Sequence, residues 1–250
     1  MSYYFYVSSA LPRLYFERPP QVTFEEFMDL VELNFTKQDQ KTIWQIRELF
    51  DLFNLQRMLY GFEITKFGNY NSKQLQDLLH LDKLPEYLFD FFTAYQKNEE
   101  QKKQFPQLLS QFYLEKIEAK GFVKDYYQLL RNYTLLQAAI RAIKTSRSLE
   151  KELQFEDSKE DMVGFLLAQK GLKEIKPLDG FEKLRAIVHT HFDDPKALYF
   201  ETAKFLFEKL NEMKLRPFGK PYLFVYCAQL ILLEQLYHKQ KAPDFLNFLF

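Results

Sequence analysis

Apolar residues recur three and four positions apart along nearly the whole chain, and this period limits the fold more than any motif does. Thr23 followed by Glu26 forms a capping box, after which Phe24, Phe27, Leu30 and Val31 share one helical face. Thr36 caps a second stretch, where Ile43, Ile46, Leu49, Phe50 and Phe53 keep the same spacing until Gly61. Residues 61–71 are the most loop-like in the chain, and Ser72 precedes a short helix. Pro85 suits the first turn of a helix carrying Leu88, Phe89, Phe92 and Tyr95, and a solvated run follows at 97–103. Pro106 opens a helix that Gly121 closes, and the longest helical pattern runs from Phe122 to near Ser148. Ser158, Asp179 and Asp194-Pro195 begin three more. Strand signals are scarce: the one extended segment expected is residues 3–8, where aromatics and Val precede a Ser-Ser-Ala-Leu-Pro turn. The expectation is an all-α, multi-helix, bundle-like array forming a single helical domain over residues 1–250, with its weakest seam at 149–157.

Composition excludes several function classes. Seven glycines in 250 residues leave little material for Gly-rich phosphate loops or a doubly wound nucleotide fold, since Gly usually makes up about 7%. Thirty-four basic and 34 acidic side chains cancel, which argues against a protein that holds nucleic acid or anionic lipid mainly by charge. One cysteine, Cys227, cannot form an intramolecular disulfide, so a cytoplasmic location is expected. The most apolar run, residues 222–233, is too short to span lipid, which takes about 20 apolar residues. It reads as a central helix packed on most of its faces, with no direct membrane insertion and no secretory signal at the start.

Side chains that could carry chemistry are few. His189-Thr-His191-Phe-Asp193-Asp194 is the one cluster resembling a metal site, and a metal-dependent hydrolase would use such ligands to activate water. Residues two apart point to different sides of a helix, however. The other reading makes Asp194 a helix cap, Pro195 the first helical residue, and the two histidines cations near the preceding helix end. Glu234 and His238 read as a surface pair, Cys227 as a buried thiol, and Trp44 as part of a core-facing helix side. Gly219-Lys220 lacks the flanking residues of a phosphate loop. No catalytic set and no cofactor are expected.

Two segments echo each other at an offset of 74 residues. Asp51, Asn54 and Arg57 are matched by Asp125, Gln128 and Arg131, and at this spacing each set forms a connected polar row on a helix. One reading is chance in a chain rich in these residues; the other is a duplicated helical unit whose polar row fixes how neighbouring helices cross.

The opening Tyr3-Tyr-Phe-Tyr-Val-Ser-Ser-Ala-Leu-Pro12, followed by Phe24-Glu-Glu-Phe27, resembles an uncharacterised bacterial family encoded among the subunits of V-type (archaeal/vacuolar-type) ATPases. The Asp51-x-x-Asn54-Leu55-x-Arg57 row also looks like the Asp-x-x-Asn helices of the C/d family, the helical central-stalk component of these enzymes. In the second echo Gln128 stands in place of the Asn. The resemblance implies a non-catalytic helical subunit or accessory factor that acts by protein–protein contact in rotary coupling or assembly. Its partners would be other ATPase subunits, the rotor ring or the central shaft, and it would lie peripheral to the inner membrane through that complex. A general helical adaptor is the alternative. The aromatic excess at the two ends, Tyr3, Tyr4, Phe5, Tyr6 and Phe245, Phe248, Phe250, marks the expected partner contacts.

Overall fold

The computed structural model describes residues 4–78, 85–214 and 219–238, with the backbone alone for Leu78 and His238. Tyr3, Phe245, Phe248 and Phe250 lie outside the described residues. Within these residues there are twelve α-helices and no strand, so the fold is an all-α array. The chain divides into two compact units.

The first unit takes residues 1–36 and 128–250. It holds α1 (Tyr4–Ala10), α2 (Phe24–Asn34), most of α7 (Phe122–Lys144), α8 (Leu149–Glu152), α9 (Asp161–Leu167), α10 (Glu182–His191), α11 (Pro195–Glu212) and α12 (Lys220–His238). Its spine is α12, which packs on α1, α2 and α11. Leu223, Val225, Cys227, Leu230 and Leu233 are all sealed from solvent, although they lie on different sides of the helix. A helix buried on most of its faces must also satisfy its polar side chains. Gln229 donates to the Phe207 carbonyl (3.0 Å), and the Tyr226 and Tyr237 hydroxyls donate to the carbonyls of Pro12 (3.0 Å) and Phe16 (2.7 Å). Glu234 is not on the surface: it is fully buried, and its Oε1 accepts from the backbone N–H of Phe24 (2.5 Å). That N–H is at the first residue of α2, where unpaired amides and the helix dipole favour a carboxylate. The Thr23–Glu26 capping box forms beside it, with N–H to oxygen distances of 3.2 and 2.7 Å.

Residues 4–8 of the segment expected to be extended (3–8) are instead helical, within α1. Tyr4, Val7, Ser8 and Leu11 are buried at spacings of three and four, and this face packs on α2 and α12. The β-propensity of the aromatics yields to tertiary burial of that face. The 149–157 segment lies inside the first unit. Ser148 caps α8, and Leu149 and Leu153 enter the same core as Tyr133, Leu136, Val163, Leu166, Leu184 and Phe205.

The second unit is residues 37–127. It contains α3 (Lys37–Leu59), α4 (Ser72–Leu78), α5 (Glu86–Ala94), α6 (Asn98–Ile117) and the first turns of α7. The run at 97–103 proves helical from Asn98 onward, and Pro106 sits inside α6 rather than opening it. An interior proline removes one backbone hydrogen bond and costs about 3 kcal/mol. Phe105, Leu108 and Phe112, each sealed from solvent on the inner face of α6, outweigh that loss. Gly121 does follow that helix in the left-handed region (φ 65°), which its missing Cβ permits. Among the described residues no helix is long and apolar enough to cross a membrane.

Candidate functional site

The polar row on α3 leads to the most organised surface of the second unit. Arg47, Asp51, Asn54 and Arg57 succeed each other at intervals of four, three and three, so they line one side of the helix. Along that side runs the irregular segment between Leu59 and Ser72. A loop in contact with a helix needs partners for its backbone groups, and here the helix side chains supply them. Asn54 Oδ1 accepts from the Thr65 N–H (2.7 Å) and its Nδ2 donates to the Thr65 carbonyl (2.9 Å), a two-way bond like a rung of a sheet. Asp51 Oδ1 accepts from the N–H groups of Asn69 (2.6 Å) and Tyr70 (3.2 Å), and its Oδ2 accepts from Asn69 Nδ2 (2.7 Å). Arg47 Nε donates to the Phe67 carbonyl (3.0 Å) and its Nη2 to that of Gly68. Arg57 Nε donates to the Glu63 carbonyl. The row therefore binds a loop.

Gly68 is the close-approach residue of this arrangement. A Cβ there would lie 2.6 Å from both Asn54 Nδ2 and Asp51 Oδ1, so only glycine lets the backbone settle on the row. Phe67 beside it is buried against Phe50 (ring centroids 5.9 Å apart). Burial pushes the Asp51 carboxyl up to about 6, against the opposing pull of the Asn69 and Tyr70 donors and the Arg47 charge. The helix beneath is itself held: Lys116 of α6 pairs with Glu48 (2.7 Å), and the Tyr127 hydroxyl donates to the Gln45 carbonyl (2.5 Å).

Exposed aromatics stand at both ends of this loop. At one end Trp44, expected in the core, is 40% exposed and meets Tyr70 edge-on at 5.3 Å. One residue past Ile43 turns its side chain about 100° from the buried stripe, toward the loop. At the other end Tyr60 (43% exposed) and Phe62 (42%) stack at 6.4 Å, with Lys102 over the Tyr60 ring and Arg57 over that of Phe62. Along the helix axis the two stations lie about 22 Å apart at 1.5 Å per residue. A rigid backbone carrying partly exposed aromatic rings suits protein recognition, because large areas are buried with little ordering cost.

The other expected site residues are placed differently. Asp125 is exposed and Gln128 donates to Asn132 (3.0 Å), while Arg131 is buried, with Nη2 2.5 Å from Glu156 and 2.8 Å from Glu160. Burial opposes the Arg131 charge, but the bonds to Glu160 and Glu156 overcome it and hold its pKa above the ordinary value. Asp194 Oδ1 accepts from the N–H groups of Lys196 (3.1 Å) and Ala197 (3.0 Å), capping α11. His189 and His191 both lie in the last turn of α10 and Asp193 is exposed after it; no group of three or more metal-ligating side chains occurs among the described residues. Of the N-terminal aromatics, Tyr4 is buried edge-on against Phe35, whereas Phe5 and Tyr6 are exposed. Helical spacing does not mark Arg47, Thr65, Gly68 or Asn69 as site residues; the Gly68-Asn69 pair inside the loop is the one signal in the sequence for a tight backbone approach.

A family model described as "Protein of unknown function (DUF2764)" matches residues 1–243. An uncharacterised protein of Chlamydia muridarum (strain MoPn / Nigg) is 27% identical over 222 residues, covering 85% of this chain and 83% of the relative. An uncharacterised protein of Chlamydia trachomatis serovar D matches with the same identity and coverage. No solved structure matches.

Proposed function

The chain belongs to that family of unknown function, and within it we propose a non-catalytic helical subunit or accessory factor of a V-type ATPase, acting by protein–protein contact. The observation that carries the contact role is the clamped loop of the second unit, which presents Tyr60 and Phe62 to solvent on a backbone fixed by Arg47, Asp51, Asn54 and Arg57, with Trp44 of α3 exposed at its other end. Aromatic rings with neighbouring cations are the side chains that concentrate binding energy in interfaces, and pre-organisation removes the ordering cost of the loop. The choice of partner, rotor ring or central shaft, rests on the resemblance of residues 3–12 and of the Asp51–Arg57 row. Through that complex the protein would sit at the inner membrane without inserting into it.

Affinity isolation of the tagged protein under native conditions tests this reading. Recovery of rotor or stalk subunits is the expected result, and the double variant Trp44→Ala/Phe62→Ala should recover markedly less of them. Recovery of the intact chain with an unrelated set of partners points to a general adaptor and overturns the ATPase assignment.

A further inference from the structure

In the first unit, the end of α7, residues 173–175 and α10 enclose a pocket of about 380 Å³. Its apolar wall is Ile140, Ile143 and Ile175, of which Ile140 and Ile175 are core residues. Around it stand Lys144, Lys173, Arg185 and His189, with Glu174 as the one carboxylate. Three full positive charges against one negative make a local excess in a chain whose net charge is zero.

Helix ends account for part of this charge. Lys144 and His189 lie in the last turns of α7 and α10, where cations are favoured, and Lys144 Nζ donates to the His189 carbonyl (3.0 Å). That explanation does not reach Lys173, which is on no helix, or Arg185, which is in the middle of α10. Arg185 meets Glu174 only at 3.5 Å, with its own side chain half-buried and that of Glu174 exposed, so little of its charge is spent. Lys173 makes no ion pair or hydrogen bond among the described residues. Concavity, an apolar wall and unspent donors on one rim are the ingredients of a small-ligand site, and the volume falls near the small end of the usual range of about 300–1,000 Å³.

We propose that this pocket binds a small amphipathic anion, with a carboxylate or phosphate head at Lys173 and Arg185 and a short apolar body against Ile140, Ile143 and Ile175. Charge sets the sign of the head and the isoleucines set the need for a body. An ion without carbon chain gains only the first, and an alkyl cation only the second. The assignment is independent of any partner bound by the second unit.

Amide NMR titration of the full chain with octanoate, hexyl phosphate, acetate, inorganic phosphate and octylamine tests it. Octanoate, hexyl phosphate or both should shift the amides of residues 140–144, 173–175 and 185–190 at millimolar concentration. Whichever binds tighter distinguishes carboxylate from phosphate as the natural head. Acetate, inorganic phosphate and octylamine should bind at least about tenfold more weakly. Lys173→Glu should weaken the favoured probe by roughly tenfold, whereas Lys124→Glu, an exposed change of equal charge elsewhere, should leave it unaltered. Ile143→Ala should narrow the gap between octanoate and acetate. The proposal is overturned if no probe shifts these amides, if octylamine binds as well as octanoate, or if the two lysine variants behave alike.

Discussion

The rows Asp51–Asn54–Arg57 and Asp125–Gln128–Arg131 share spacing and chemistry, yet the protein uses them in opposite ways. On α3 the acid and the amide are buried and bind loop backbone, while Arg57 is half-buried at the rim. On α7 the acid is exposed, the amide bonds its own helix, and the arginine is the buried member, held by two carboxylates. The difference comes from what lies opposite each row. A row facing irregular chain is consumed by N–H and C=O groups that need partners; a row facing carboxylates keeps only its cation. Equal spacing therefore does not make the two segments equivalent parts of a repeat.

The largest effect should separate the two arginines. Arg131→Ala leaves Glu156 and Glu160, both mostly buried, without their counter-charge and should cost about 3–5 kcal/mol. Arg57→Ala removes one hydrogen bond near the surface and should cost no more than about 1.5 kcal/mol. Urea denaturation measures both, and equal losses would break the contrast.

The amide positions come next. Asn54→Ala strands the Thr65 N–H and carbonyl and should cost about 1–3 kcal/mol, whereas Gln128→Ala should stay within about 0.5 kcal/mol. Gly68→Ala forces apart atoms that leave a Cβ only 2.6 Å, an overpacking that should cost about 1–3 kcal/mol. Thermal melts give the ranking. Hydrogen exchange at the Thr65, Asn69 and Tyr70 amides should accelerate in the Asn54 and Gly68 variants and not in the Gln128 variant.

The last contrast is a pH dependence. Asp51 titrates at about 6 in the folded protein and near 3.8 when unfolded, so between these values the folded state holds a proton that the unfolded state has lost. Its contribution to stability therefore falls as pH rises from about 4 to about 6 and stays at the lower level above that. Asp51→Asn has no proton to lose and should flatten this part of the stability profile. An unchanged slope in the variant would mean that burial does not govern the carboxyl.

Local structure is legible in the sequence, and long-range partners are not. The Thr23–Glu26 box, the Asp194 cap, the left-handed Gly121 and the buried run around Cys227 depend on neighbours within a few residues, and each is where the period places it. Pro106 misled because a strong local breaker was overridden by the apolar face of α6. Trp44 misled because its partner, Tyr70, lies 26 positions away in a segment without period. The same distance problem hid the site. Arg47 reaches carbonyls 20 and 21 residues on, and Arg131 finds its carboxylates 25 and 29 residues on, choices that no helical spacing encodes. The polar row itself was legible; what it would hold was not.

The clamped loop of the second unit is the contact surface proposed here for a V-type ATPase subunit. Placing a photo-activatable cross-linker at Phe62, with a second version at Leu33 on α2 as a solvent-facing control, tests it most directly in intact cells. A cross-link from position 62 to a rotor-ring or central-shaft protein, weakened by Gly68→Ala and lacking from position 33, is the expected result. No ATPase cross-link from position 62, or the same products from both positions, would contradict it.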